Sequence, residues 1–412
     1  MHRPGSLLII FLTVFIDLLG FGIVLPLLPL YGRQFAADYS LSPAATGWTI
    51  GLLMSSFSAM QFLFAPWWGR LSDRIGRRPV LLVGLAGSVV FYFLFGIATL
   101  WRNMTLLFVS RIGAGIAGAT ISTAQAYIAD TTSKESRTKG MALIGAAFGL
   151  GFTFGPLFGY LAVPSGTGDP GAGPGYAAAA LSFVALGLAI FLLPESLSPE
   201  SERAARRAFD FASLRDALAT PSIGVLLLTN FICVLSFANF ESTMALLIKD
   251  EAGHFRFTFQ QVCLTFAYVG LALTVVQGGI VRRVSGRMAE ATMAAGGAVT
   301  EIVGFLLLGR AALSGSIAEL LVALAVVVAG FAFITPSVNS LLSRRSDPTK
   351  QGGVLGLAQS TSALARILGP LLGNRLFASG AELPLWLAAG LMGVGLVLVL
   401  AGARRGHDYG EG

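Results

Sequence analysis

The chain has 412 residues, of which 55% are hydrophobic and only 12% charged, and its mean hydropathy is +0.76. Soluble domains carry about 25% charged residues, so these few charges cannot cover a water-facing surface, and a soluble enzyme is excluded. The formal net charge of +7 does not point to nucleic acid, because the basic residues sit in short blocks beside apolar runs, where they report topology.

The apolar residues fall in runs of about 20, the length that crosses a ~30 Å hydrocarbon core at ~1.5 Å per residue. Between charged, Pro and Gly punctuation twelve such runs are read: span 1 at 6–30, span 2 at 44–66, span 3 at 79–99, span 4 at 105–129, span 5 at 139–163 and span 6 at 176–194, then span 7 at 221–247, span 8 at 258–281, span 9 at 289–309, span 10 at 317–341, span 11 at 353–375 and span 12 at 383–403. Span 1 is too long for a signal peptide, carries Asp17 at its centre and lacks a small-residue cleavage site, so it reads as a helix. Cys233 and Cys263, the only cysteines, lie inside spans and read as small packing residues. The outer connection at 164–175 is rich in Gly and Pro and reads as a mobile connector.

With the N-terminus placed in the cytoplasm, twenty of the 28 basic residues fall inside and five outside, namely Arg33, Arg102, Lys249, Arg256 and Arg310. This asymmetry assigns both termini to the cytoplasm. The long polar stretch at 195–220 divides the chain into an N-terminal half at 1–194 and a C-terminal half at 221–412, joined by a cytoplasmic linker. Phe211, Leu214 and Leu218 recur there at helical spacing, as in a short membrane-surface helix; a flexible tether fits equally.

The halves repeat. Gly155-Pro156-Leu157-Phe158-Gly159 in span 5 returns in span 11 as Gly369-Pro370-Leu371-Leu372-Gly373, and Gly69, Gly76 and Arg77 return as Gly279, Gly286 and Arg287. Two six-helix halves related in this way are the parallel repeat expected of a secondary transporter that rocks around a central site. The expected fold class is therefore an all-α membrane protein with twelve transmembrane helices in two six-helix repeats.

The segment Gly69-Arg70-Leu71-Ser72-Asp73-Arg74-Ile75-Gly76-Arg77-Arg78-Pro79 resembles the signature loop of the major facilitator superfamily. Asp17 to Gly22 with Pro26 and Pro29, Arg111 with Gly115, and Gly151, Gly155, Pro156 and Gly159 resemble its drug:proton antiporter branch, tetracycline exporters included. The resemblance implies the major facilitator fold, a conformational role for Gly69, Asp73, Arg74, Gly76, Arg77 and Arg78, and a part for Arg111 in sensing protonation through a neighbour on span 1 or span 4. The chain departs from the pattern at Ala142, Tyr160 and Arg283, which takes the place of Asp73 in the second half. Phe91 stands where tetracycline exporters carry an acid, which argues against tetracycline itself as the substrate.

Asp17 lies about 11 residues into span 1 and Glu301 about 12 into span 9, roughly 16 to 18 Å deep. A fixed unpaired charge at that depth is costly, so these carboxyls are the leading proton-coupling candidates, with Arg111. All three histidines and all four lysines lie outside the apolar cores of the spans. Arg366, always charged, needs an anion, either Glu301 or a carboxylate on the substrate. Glu241, Gln61, Asn239 and Gln359 are the other substrate-binding candidates; each of the amides also fits an interhelical hydrogen bond. Gly113-Ala114-Gly115-Ile116-Ala117-Gly118 matches a dinucleotide fingerprint, but it lies inside a span with no preceding strand and reads as close helix packing.

No phosphate loop, metal-ligand spacing or nucleophile–base pairing is present, so no catalysis, cofactor or metal is expected. The expectation is a monomer in a bacterial inner membrane, with a small-molecule substrate, protons and membrane lipid as partners and no nucleic acid. It is read as a proton-coupled exporter of a small organic or drug-like solute. Uptake or facilitated exchange of an organic metabolite is the rival within transport, and a non-transporting membrane receptor or scaffold the rival class.

Overall fold

A computed structural model describes residues 6–132, 137–164, 169–197, 221–250, 253–346 and 351–404. Among these residues the regular elements are helices alone, with one isolated bridge between Ser285 and Met288. In hydrocarbon no water is available to the backbone, and a helix satisfies every N–H and C=O within its own segment. Among the described residues eleven helical stretches are long and apolar enough to cross a membrane: Leu7–Asp38, Pro43–Ile75, Arg77–Leu100, Met104–Thr131, Leu143–Ala162, Gly173–Leu192, Ser222–Lys249, Phe259–Val284, Glu290–Ser314, Ile317–Arg345 and Leu383–Arg404. Span 11 forms the helix Gln351–Phe377; Gln359, Arg366, Asn374 and Arg375 lower its hydropathy. Large apolar side chains such as Leu161 and Phe191 are 76% and 85% exposed, as befits a lipid-facing surface.

Several helices differ from the expected boundaries for local reasons. Span 1 is interrupted after Val24 and resumes at Leu28, because Pro26 and Pro29 lack the N–H that would continue the ladder. Span 2 does not stop at the membrane edge near residue 66 but runs on to Ile75. Charged residues mark the edge without breaking a helix, so most of the signature segment is helical. The break comes at Gly76, whose φ of +105° is open to glycine and strained for other residues. Span 4 tightens to a 3-10 turn at Gly118–Thr120, and span 8 widens to a π-helical turn at Val276–Val281.

Two compact units are formed, one of Met1–Leu41, Ser56–Ala208 and Phe257–Gly270, the other of Ser42–Ser55, Phe209–Arg256 and Leu271–Gly412. The linker reading at Phe211, Leu214 and Leu218 falls outside the described residues. In the first unit, spans 1, 3, 4, 5 and 6 share an apolar core that includes Ile10, Leu81, Leu85, Tyr127, Ile144 and Ala185. Spans 1 and 5 meet backbone to backbone: a Cβ on Gly22 would lie 2.6 Å from the Gly151 carbonyl oxygen, and one on Gly155 would lie 2.6 Å from the Gly22 Cα. The fingerprint-like glycines also pack, Gly113 against the Phe91 ring and Gly115 against the Phe57 backbone.

The described part of the outer connection at 164–175 is anchored. Asp169 accepts from Arg102 Nη1 at 3.1 Å, Gln34 Nε2 at 3.4 Å and the Gly171 backbone N–H at 2.8 Å, while Tyr31 donates to the Gly171 carbonyl at 2.6 Å. Arg102 also grips Asp38 with two bonds of 2.8 and 2.9 Å.

In the second unit the repeat keeps its packing with a different partner. Gly369 and Gly373 of span 11 abut Ala238 and Asn239 of span 7, and Gly297 and Gly330 bring spans 9 and 10 together. Small polar side chains add interhelical bonds: Asn230 donates to the Ala358 carbonyl at 2.9 Å, and Ser236 to the Ala388 carbonyl at 2.8 Å. The start of span 2 belongs to this unit, where Gly47 and Gly51 lie against span 11 and Ser55 donates to the Ile367 carbonyl at 2.5 Å.

These contacts set an expectation for stability. Gly155→Val forces the span 1–span 5 contact apart and lowers the thermal unfolding midpoint in detergent, with a loss of about 1–3 kcal/mol. Gly145→Ala, where a Cβ meets nothing within 4 Å, leaves the midpoint unchanged or slightly raised.

Candidate functional site

In the first unit, span 1 carries Asp17 half-buried among hydroxyls. Ser182 of span 6 donates to its Oδ1 at 3.3 Å, and Ser88 of span 3 is a second hydrogen-bond partner. A hydroxyl both donates and accepts, so these serines satisfy the carboxyl in either protonation state. Tyr92, one turn beyond Ser88 and 4% exposed, lies near both Asp17 and Arg111.

Arg111 of span 4 is 2% exposed. No ion pair to a neighbour on span 1 or span 4 is found for it among the described residues. Its guanidinium carbon lies instead 4.7 Å from the Phe57 ring centroid and 6.0 Å from that of Phe21, and ring faces attract a cation. Its Nε and Nη1 have no hydrogen-bond partner there. Phe21 also meets Phe57 at 4.9 Å and Phe152 at 5.9 Å between centroids, so aromatic rings from spans 1, 2 and 5 gather beside the cation. Gln61 donates to the Gly118 carbonyl at 3.1 Å, which commits its amide to span 4.

In the second unit, Glu241 of span 7 is half-buried and Arg366 of span 11 exposed. The two interact electrostatically without forming an ion pair among the described residues. Gln359, also exposed, lies two turns from Arg366 on the same helix face. One turn from Glu241 the Phe237 ring stacks on Phe331 at 3.9 Å, and Phe240, the residue before Glu241, meets Phe305 at 5.5 Å. Asn239 is fully buried and donates to the Pro384 carbonyl at 2.7 Å. Glu301 is also fully buried, and neither carboxyl oxygen has a partner among the described residues. Gly330 of span 10 presses on its backbone. Arg366 is not its partner.

The signature segment builds a charge lattice at the end assigned to the cytoplasm. Arg77, 6% exposed, pairs with Asp73 at 2.5 Å and Asp130 at 3.1 Å and donates to Ser72 at 2.6 Å. Glu195 caps the start of span 3, accepting from the backbone N–H groups of Arg77 at 2.8 Å and Arg78 at 3.1 Å, where the helix dipole favours an anion. Arg78 donates to the Ile190 carbonyl at 2.6 Å; Arg70 and Arg74 are exposed. Gly69 and Gly76 shape the segment, and a Cβ on Gly76 would collide with the Glu195 carboxyl.

The second unit answers with reversed polarity. Glu290, at the start of span 9, accepts from Arg344, at the end of span 10, at 2.8 Å. Sequence reasoning missed Ser88, Ser182, Tyr92, Asp130 and Glu195. Asp130 carried a usable signal, an acid closing an apolar span beside a basic block. The glycine motif of span 5 joins the site through packing: Gly151 abuts Leu18, the neighbour of Asp17, and Gly159 lies against Ile23, with Pro156 between them inside the helix.

The profile of the Major Facilitator Superfamily matches residues 10–370. The chain is 32% identical to the class C tetracycline resistance protein of Escherichia coli, over 98% of both chains. The human organic anion transporter MFSD10 superposes with a TM-score of 0.70 at 27% identity, covering 96% of this chain and 99% of that one. A D-xylose-proton symporter reaches 0.78 at 17% identity over 99% of each chain, a likeness of fold alone.

The two charge pairs are separable by double-mutant cycles read as thermal stability. Arg77→Gln with Asp130→Asn, a largely buried pair, gives a coupling energy of about 1–3 kcal/mol. Glu290→Gln with Arg344→Gln, whose arginine side chain is 52% exposed, gives under about 1 kcal/mol.

Proposed function

This chain belongs to the Major Facilitator Superfamily, and from that premise we propose that it is a proton-coupled antiporter that exports small amphipathic organic solutes, organic anions among them. Asp17 is the observation that carries the proposal: it is a mid-span carboxyl solvated by two hydroxyls, and Tyr92 lies near both it and an arginine held by ring faces instead of a carboxylate. Neutral Asp17 leaves Arg111 as the uncompensated charge of that region, and ionised Asp17 offsets it. Gain or loss of one proton therefore changes the local field and favours one state of the cycle over the other; the substrate drives the switch through its own differential affinity for the two. Glu301 is the second proton-binding candidate, and exchange there requires the second unit to open around it.

Arg366 is the proposed anchor for an anionic group. A guanidinium presents parallel donors that match a carboxylate or sulfonate. Glu241 competes with the bound anion, and Gln359 extends the polar face. The Phe237–Phe331 stack, one turn from Glu241, gives an apolar body something to lie against. Substrates of several shapes fit such a mixture better than one shape does, which is the basis for multidrug breadth. Two of the similar proteins bear on direction and substrate by their names: one is called a tetracycline resistance protein, the other an organic anion transporter. The proposed setting is a monomer in a bacterial inner membrane with both termini in the cytoplasm, supported by the distribution of basic residues. Facilitated exchange of an organic anion is the second reading, favoured by Arg366 alone; it needs no proton gradient.

Proteoliposomes offered carboxylate- and sulfonate-bearing dyes from outside decide between them. An imposed pH gradient drives accumulation by the native protein, and Asp17→Asn abolishes it while leaving dye–dye exchange. Arg366→Gln raises KM for the anionic dyes roughly tenfold to hundredfold and spares neutral ones. Gradient-driven accumulation that survives unchanged in both Asp17→Asn and Glu301→Gln rejects proton coupling through these carboxyls.

A further inference from the structure

The turn between spans 8 and 9 holds three arginines within six residues, Arg282, Arg283 and Arg287, all exposed. Val281 is buried at 6% and anchors the turn. Gly286, with φ of +85°, then folds the chain back so that the backbone N–H groups of Arg287 and Met288 reach the Val284 carbonyl at 2.9 and 3.3 Å. The fold-back sets Arg287 on the same corner as Arg282 and Arg283. Among the described residues none of the three side chains makes a hydrogen bond or an ion pair. The acid nearest in sequence, Glu290, is taken by Arg344 at 2.8 Å and by Ser340 at 3.3 Å.

The matching turn of the first unit is different. There the Arg77 side chain pairs with Asp73 and Asp130, the Arg78 side chain donates to a carbonyl, and Glu195 accepts from the backbone N–H groups of both. A loop that only needed positive charge to set topology would have no reason to lose its acids in one half and keep them in the other. The three arginines sit where an apolar span ends, the place at which basic side chains meet lipid headgroups, and Ile280 and Met288 beside them are 47% and 46% exposed. Cations flanked by exposed apolar side chains match an amphiphile with an anionic head, not a free inorganic anion.

We propose that this turn is a binding site for the headgroup phosphate of an anionic phospholipid, with Arg282, Arg283 and Arg287 as its cationic ligands and Ile280 and Met288 against the first part of the acyl chains. Each cation near a membrane surface contributes about a fivefold factor in anionic-lipid affinity, so three give on the order of a hundredfold.

The test uses the full chain purified in neutral detergent, with retained lipid read by native mass spectrometry and protection by thermal shift. Phosphatidylglycerol, phosphatidylcholine and inorganic phosphate are the probes. Phosphatidylglycerol is retained and raises the unfolding midpoint; phosphatidylcholine and phosphate do neither. Arg282→Gln/Arg283→Gln/Arg287→Gln weakens phosphatidylglycerol binding on the order of a hundredfold, while the corresponding triple lysine variant, which keeps the charge and the topology signal, retains most of it. Should the glutamine triple fail to insert, Arg283→Gln and Arg287→Gln singly each cost about fivefold. Equal retention of phosphatidylglycerol by the glutamine variants and the native chain overturns the site, and protection by inorganic phosphate equal to that by phosphatidylglycerol overturns its assignment to lipid.

Discussion

A charge at the depth of the hydrocarbon core has no water to turn to, and the chain meets that constraint in three ways. It moves most of its charges to the ends of the spans, where Arg77, Asp73, Asp130 and Glu195 satisfy one another and cap a helix start. It brings helices together through glycine, so that Gly22 and Gly155 meet backbone to backbone, and through small uncharged polar side chains such as Asn230 and Ser236. The few charges left inside sit among hydroxyls, as Asp17 does, against ring faces, as Arg111 does, or without a partner among the described residues, as Glu301 does. The last group is where the energetic cost of burial is concentrated. The proposed function rests on that group.

The two halves share packing more than chemistry. The Gly-Pro segment of span 5 abuts span 1, and its repeat in span 11 abuts span 7. At the membrane edge the pattern inverts: Arg77 at the start of span 3 faces Asp130, while Glu290 at the start of span 9 faces Arg344. Reversal keeps an ion pair at corresponding corners while changing the local field. In the first unit the corner is an extended lattice with a helix cap; in the second the adjoining turn keeps three arginines unmatched. Duplicated architecture left each half free to specialise.

Much of this was legible in the sequence because membranes punish ambiguity. Apolar runs of span length, the repeat, and carboxyls stranded mid-span stand out against so apolar a background. The helix ends were less legible: span 2 continues through Arg70, Asp73 and Arg74 because charge marks the interface and only Gly76 breaks the backbone. Least legible were the partners. Ser88 and Ser182 lie 71 and 165 residues from Asp17, and a serine in an apolar run gives no sign of what it faces. Arg111 read as a sensor of protonation through a neighbour on span 1 or span 4, and aromatic faces from spans 1 and 2 hold it, which no spacing rule anticipates. Asn239 read equally as a substrate-binding residue or as an interhelical bond, and its amide N–H is spent on the Pro384 carbonyl. Glu195 was visible only as the edge of a polar stretch; its role as a cap depends on where span 3 begins in space.

The central claim is that Asp17 exchanges a proton in step with substrate. Proton release measured with a pH-indicator dye, on adding a transported organic anion to the detergent-solubilised protein in weakly buffered solution, tests it directly. The account predicts a stoichiometric pH change with the native chain that disappears in Asp17→Asn while substrate binding persists. An equal change in both proteins contradicts it.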